Sequence, residues 1–314
     1  MSERAAVIDL GSNSIKLLVA EQATSRSIRV LFEKTLECRI SGDFESRQLP
    51  PERIKAAMGA VAELTELAKS YEPNRITVTA TSAVREAKNA AALKECIHAQ
   101  TGLDLRILSG SEEATYIAAG LLTDPQWTPE SEAFCLMDQG GGSLELIFGH
   151  GQDVCQAISL PLGAVRLLHQ YQSGQGGEMS NEICNQIASD SRDILLNSRF
   201  DWEGVRKEKA AWAGTGGAFT MTRAILASEQ GQTLEGFGPE LAFDEIESLC
   251  QRIGKMEMEE RFQISGLPRQ RADIYPLALI PILEVMKLSG VMKVQHSFHN
   301  LRFGLVAELL PLSH

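Results

Sequence analysis

Two short loops carry the residue types that phosphate recognition needs. Asp9-Leu10-Gly11-Ser12-Asn13-Ser14 and Asp138-Gln139-Gly140-Gly141-Gly142-Ser143 each place small residues between two strand-like runs. Backbone N–H groups in such a turn can converge on an anion, and the hydroxyls of Ser12, Ser14 and Ser143 add donors. Asp9 and Asp138 close apolar runs, where an acid is costly unless it meets a cation or accepts hydrogen bonds. A third loop, Gly214-Thr215-Gly216-Gly217, follows AAWA and precedes a helix expected from Phe219. That is a setting in which a helix N-terminus can hold a nucleotide or a distal phosphate. An ordinary glycine-rich hairpin turn accounts for either of the first two loops taken alone; the three together favour an anion site.

The first two loops sit in matching places. Residues 7–17 (VIDLGSNSIKL) align without gaps on residues 136–146 (LMDQGGGSLEL), with Asp, Gly, Ser and Leu identical. Each heads a half-chain of domain size, which points to an internal duplication and to two halves facing one cleft. Short strands are expected over 5–10, 15–20 and 28–36. A helix then opens at Pro51, with Ile54, Met58, Val61, Leu64 and Leu67 on one face. ITVTA (76–80), a helix over 88–100 stopped by Gly102, the strand LDLRILS and a helix from about Ser111 follow. The order βββαβαβα implies α/β units with mixed sheets. The polar stretch 123–132, with two prolines, reads as the interdomain connection. The expected domains are therefore 1–125 with a C-terminal helix in 300–314, and 126–299.

At 314 residues the chain is long for one ordinary core and suited to two. Its composition, 44% hydrophobic and 23% charged, is that of a globular protein. A formal net charge of −11 argues against coating duplex nucleic acid or an anionic membrane, so an anionic ligand needs a locally basic pocket. The longest apolar run, Ile274 to Leu283, is too short to span a bilayer. The first residues lack the features of a signal peptide, so the expected location is cytoplasmic. Six scattered cysteines without a CxxC pair suggest buried free thiols.

Six ordered motifs look like those of the exopolyphosphatase and guanosine pentaphosphate phosphohydrolase (Ppx/GppA) phosphatase family. They are DLGSNS (9–14), ATSAVREA (80–87), SGSEEA (109–114), DQGGGSLE (138–145), LGAVRL (162–167) and SFHNLRFG (297–304). The resemblance implies two ribonuclease H-like domains, as in the actin, sugar kinase and heat-shock ATPase superfamily. It also implies hydrolysis of a terminal phosphoryl group with Mg2+ or another divalent cation. Expected ligands are inorganic polyphosphate or guanosine pentaphosphate, and the expected assembly, if one forms, is a homodimer.

By this resemblance Glu113 matches the catalytic carboxylate that orients and deprotonates water. Asp138 matches a metal-linked acid, with Glu145 and Asp9 as further metal candidates. Arg85, with the loops Gly11 to Ser14 and Gly140 to Ser143, would hold phosphate. Helix-start chemistry is the alternative for Glu113, a solvated strand position for Glu145, and a salt bridge to Glu86 or a neighbouring helix for Arg85. Lys16, Arg39, Arg166 and Arg302 are further basic candidates, and His296 and His299 read as structural. The chain departs from the family pattern at Gln139, Ala218, Leu277 and Phe303. A phosphotransferase of the same superfamily, and a non-catalytic sensor of polyphosphate or a guanosine alarmone, are the competing readings.

Overall fold

Each half of the chain begins with alternating apolar residues, which pair as hairpins, and continues with helical periodicity, which supplies the covering layers. The structure is a computed structural model and describes residues 3–24, 27–41, 46–172 and 176–310. It divides into two compact units, Met1–Pro125 with His299–His314, and Gln126–Phe298.

The first unit contains β1 (Arg4–Leu10), β2 (Ser14–Thr24), β3 (Ser27–Glu37), α1 (Pro51–Lys69), β4 (Arg75–Ala80), α2 (Ser82–Arg85), α3 (Ala90–Thr101), β5 (Leu105–Ile107) and α4 (Gly110–Leu121). The second contains β6 (Ala133–Gln139), β7 (Leu144–His150), β8 (Asp153–Leu160), α5 (Ala164–Gln172), α6 (Asn181–Asn197), α7 (Trp202–Lys207), β9 (Ala211–Gly216) and α8 (Gly217–Glu229). It continues with β10 (Glu240–Ala242), α9 (Phe243–Gly254), α10 (Met258–Arg261), α11 (Tyr275–Ser289) and β11 (Lys293–His296). The last helix, α12 (Leu301–Leu309), belongs to the first unit.

The first sheet has the order β3-β2-β1-β4-β5. Its hairpin strands are antiparallel, and β1, β4 and β5 run parallel. The second sheet has the order β10-β11-β9-β6-β7-β8. Apart from the extra edge strand β10, it repeats the first with β6, β7, β8, β9 and β11 in place of β1 to β5, in the same directions. This is the ribonuclease H-like order, present twice.

Register carries the repeat down to single residues. Asp9 faces Lys16 on β2 and Thr79 on β4, while Asp138 faces Glu145 on β7 and Thr215 on β9.

The first core packs β1 and β2 residues such as Ile8, Leu10, Ile15 and Leu17 against Ala57, Val61 and Leu64 of α1. Ile54, Met58 and Leu67 of the expected apolar face are only half-buried, because the fully buried seam runs through Ala57, Val61, Leu64 and Ala68. α12 lies close on α4, since a Cβ at Gly304 would overlap the Tyr116 carbonyl. α11 is buried on nearly all sides and carries Pro281 in its interior. All six cysteines are free; Cys135 and Cys250 are buried, but Cys155 is exposed, because it points outward from the edge strand β8. No helix among the described residues is long and apolar enough to cross a membrane.

Candidate active site

In the first unit the turn between β1 and β2 is closed by the Gly11 amide donating to the Ser14 carbonyl at 3.1 Å. The Asn13 carbonyl accepts from the Cys38 amide at 3.1 Å, and the Ser12 carbonyl accepts from the Ser41 amide at 3.4 Å. Among the described residues no backbone group accepts from the Ser12 or Asn13 amide. The Asn13 side chain is committed to the scaffold, donating to Glu37 at 2.7 Å and accepting from Arg39 Nε at 3.2 Å.

Asp9, the next-to-last residue of β1, has its Oδ1 sealed from solvent and without a hydrogen-bond partner among the described residues, and Thr79 Oγ1 beside it on β4 is in the same condition. Burial pushes the Asp9 carboxyl above its ordinary range, opposed by the positive charges of Lys16 and Arg302. Arg302 is buried and also pairs with Glu33 at 3.1 Å, so it serves the interior of this unit rather than an open basic lining.

The two acids at the start of α4 have separate tasks. Glu112 completes a capping box: its carboxylate accepts from the Ser109 amide at 2.9 Å, and its own amide donates to Ser109 Oγ at 3.2 Å. The Ser109 amide and the Ser109 hydroxyl, which donates to the same carboxylate at 2.8 Å, together with Arg106 hold the Glu112 carboxyl at about 2. Glu113 takes no part in the cap. It is 6% exposed, and its Oε2 accepts from Arg85 Nη1 at 2.7 Å. Arg85 projects from α2, the single helical turn after β4, and the same Nη1 donates to the Leu108 carbonyl at 2.9 Å. One edge of the guanidinium is thus fixed to Glu113 and the chain beside it, while Nε and Nη2 donate to no described protein group.

In the second unit the corresponding turn closes with the Gly140 amide donating to the Ser143 carbonyl at 3.0 Å. The first turn of α5 secures the loop from behind. The amides of Ala164 and Val165 donate to the Gly140 and Gly141 carbonyls at 3.0 and 2.8 Å, and Arg166 Nε donates to the Gly142 carbonyl at 2.9 Å. Arg166 is therefore a brace of the loop. A Cβ at Gly163 would fall under 3.0 Å from Gly142 and Ser143 backbone atoms, so this close approach requires glycine. Gln139 is buried and donates from Nε2 to the Leu162 carbonyl at 2.8 Å, which ties the loop to the segment before α5.

Asp138 is half-exposed, and Glu145 opposite it is 2% exposed, with Oε1 accepting from Ser159 Oγ at 2.7 Å. Where the first unit sets Lys16 across from its acid, the second sets another acid. Two neighbouring carboxylates repel each other unless a proton or a cation stands between them, and Mg2+ typically takes one or two carboxylates and completes its shell with water and phosphate oxygens. The donor set at Asp138 and Glu145 fits such an ion. Asp9 already has side-chain cations beside it, and no group of three His, Cys, Asp or Glu among the described residues is arranged to hold a metal.

The third loop spans the end of β9 and the start of α8, two residues earlier than Phe219. Gly216 has φ +94°, and a Cβ there would lie 2.5 Å from Asp138 Oδ1 and 2.6 Å from the Gln139 carbonyl oxygen. Thr215 is fully buried between the strands. Within this unit, then, Gly214 to Gly217 adjoin Asp138. The Arg271 guanidinium occupies the place where a Cβ on Gly217 would project. Arg271, Ser159 and the bracing role of Arg166 are not legible from local pattern, because each depends on a contact between distant segments.

The residues that depart from the family pattern, Gln139 among them, are all buried. Ala218 is buried in the first turn of α8 and Leu277 is wholly buried in α11. Phe303 stacks on His299, with ring centroids 3.8 Å apart.

The chain matches the Ppx/GppA phosphatase family over residues 17–313. An uncharacterized protein of Streptomyces coelicolor is 29% identical over 301 residues, covering 92% of this chain and 84% of that protein. The crystal structure of the Aquifex aeolicus family member, 23% identical, covers the whole of both chains with a TM-score of 0.81. An exopolyphosphatase from Cytophaga hutchinsonii, 21% identical, covers 98% of this chain and 97% of its own, with a TM-score of 0.87. These two structures share the fold. With its motifs in order on two ribonuclease H-like sheets and the family match running almost end to end, this chain belongs to the Ppx/GppA phosphatase family.

Proposed function

We propose that the chain is a phosphohydrolase that releases the terminal phosphate of inorganic polyphosphate, with the 5′-phosphate of guanosine pentaphosphate as the other substrate. The observation that carries the reading is Arg85: one edge holds Glu113, and the donors of its other edge are available to a phosphate. A substrate phosphoryl group on that edge comes to lie beside the carboxylate.

Chemistry at such a group is mainly positioning and charge stabilisation. Gly11 to Ser14, Gly140 to Ser143 and Arg85 bind and orient the phosphates, supplying the local positive field that a chain of net charge −11 lacks overall. Glu113 orients a water for in-line attack and takes its proton on the carboxylate as the new P–O bond forms and the bond to the leaving phosphate breaks. Asp138 and Glu145 would hold a divalent cation, Mg2+ by preference, which when bound neutralises phosphate oxygens.

The test is phosphate release from long-chain polyphosphate and from guanosine pentaphosphate, with Mg2+ and with chelator. Release from either, lost on chelation, is expected. Phosphate transfer to an added acceptor in place of release would establish the phosphotransferase reading, and tight binding without turnover would establish the sensor.

A further inference from the structure

Among the described residues His296 is buried at the end of β11, where its Cα pairs with that of Gly214. Its ring joins a series of polar contacts that ends on the third loop. Arg223 Nη1 lies 3.5 Å from His296 Nδ1, His296 Nε2 lies 3.2 Å from Thr220 Oγ1, and Thr220 Oγ1 donates to the Gly216 carbonyl at 3.0 Å. Chemistry fixes the direction of every bond. A guanidinium only donates, so Nδ1 must accept and the ring proton must sit on Nε2. Thr220 gives its hydroxyl proton to Gly216 and so accepts from Nε2–H.

We infer that His296 is a positioning residue, relaying a one-way series of hydrogen bonds from Arg223 through Thr220 to the Gly216 carbonyl, and thereby setting the Gly216–Gly217 peptide beside Asp138.

The placement has little slack. Gly216 is at φ +94°, a Cβ on it would run into Asp138 Oδ1, and the Ser297 amide holds the Gly214 carbonyl at 3.0 Å. Arg223 is itself anchored by its Nε donating to the Phe237 carbonyl at 3.1 Å and lies over the Phe298 ring at 5.3 Å. Bonds aligned in one direction polarise each other, which strengthens the hold on Gly216 and makes the Gly217 amide, at the N-terminus of the thirteen-residue α8, a better donor. The inference rests on Asp138 as the cation-holding acid for its catalytic consequence, but not for the relay.

The test uses Thr220→Val, which keeps the shape and removes the hydroxyl, with Thr220→Ser as the conservative rescue. Three readouts are taken: amide hydrogen exchange at residues 214–217, Mn2+ affinity by proton relaxation, and thermal unfolding. Thr220→Val should speed exchange at Gly217 and weaken Mn2+ binding, each by roughly tenfold, the scale of one buried hydrogen bond. The melting temperature should fall by only ~3–6 °C, the same loss read as thermal stability, and Thr220→Ser should restore all three values. Nitrogen-15 NMR of histidine should show His296 as the Nε2–H tautomer, and its absence would overturn the relay. So would wild-type exchange and Mn2+ affinity in Thr220→Val. A wild-type chain that releases no phosphate while these responses hold would sink the phosphatase reading alone.

Discussion

Gly163→Ala places one methyl group against the most tightly built part of the site. The added Cβ would sit under 3.0 Å from the Gly142 carbonyl carbon and the Ser143 amide nitrogen, both backbone atoms of the proposed phosphate loop. A side chain could swing aside; backbone cannot, so either the loop or the first turn of α5 must move. The bonds at stake are those from the Ala164 and Val165 amides to Gly140 and Gly141, at 3.0 and 2.8 Å. Overpacking of this kind costs about 1–3 kcal/mol. At ~2–4 °C per kcal/mol for a unit of this size, the melting temperature should fall by about 2–12 °C. Because the displaced atoms are the loop itself, KM for polyphosphate should rise as well. Differential scanning calorimetry and phosphate release measure the two effects. Gly59→Ala is the control: it lies on α1 with nothing within 4 Å of the new methyl, and should stabilise by up to ~1 kcal/mol. A Gly163→Ala protein with the wild-type melting temperature and KM would refute the bracing of the loop by α5.

Three further outcomes follow from the same geometry. Burial, and secondarily Arg223, depress the His296 pKa to about 3, so the unfolded chain binds a proton near its ordinary value of 6.5 that the folded chain refuses. That stability is complete above pH 6.5 and is lost as pH falls toward 3, with a slope approaching ~1.4 kcal/mol per pH unit; urea unfolding from pH 7 to 4.5 should be steeper for the wild type than for His296→Asn, and equal slopes contradict it. Arg85→Ala deprives the nearly buried Glu113 of the Arg85 charge and should cost about 1.5–3 kcal/mol in denaturant unfolding while raising KM for polyphosphate; if neither moves, Arg85 holds nothing. Asp138→Asn should raise the Mg2+ concentration for half-maximal phosphate release roughly tenfold, and an unchanged Mg2+ titration would remove Asp138 from the cation site.

Much of the fold was legible because its signals are local. Period-two runs gave β1 to β3, Pro51 marked the start of α1, and the helix expected from about Ser111 is α4, which begins at Gly110. The repeated Asp-x-Gly hairpin announced two similar sheets, and their strand orders repeat as it implies. Short elements were harder to see: α2 is one turn, and β5 pairs over three residues where the pattern suggested seven. The site was legible in its residue types and less so in its partnerships. That Glu112 caps the helix while Glu113 faces Arg85 depends on the path of the chain 28 residues earlier. The contrast between Lys16 beside Asp9 and Glu145 beside Asp138 lay in the aligned repeats, but its electrostatic meaning needed strand register. Ser159 and Arg271 reach the site only through tertiary contacts.

The central claim, that Glu113 is the general base of a phosphohydrolase, is tested most directly by single-turnover phosphate release from polyphosphate by Glu113→Gln at saturating Mg2+. The amide keeps size and hydrogen-bonding capacity but cannot take the proton. The rate should fall by roughly two to four orders of magnitude with polyphosphate affinity little changed. A Glu113→Gln protein that turns over at a near wild-type rate would contradict the claim and leave Glu113 as the ion-pair partner of Arg85.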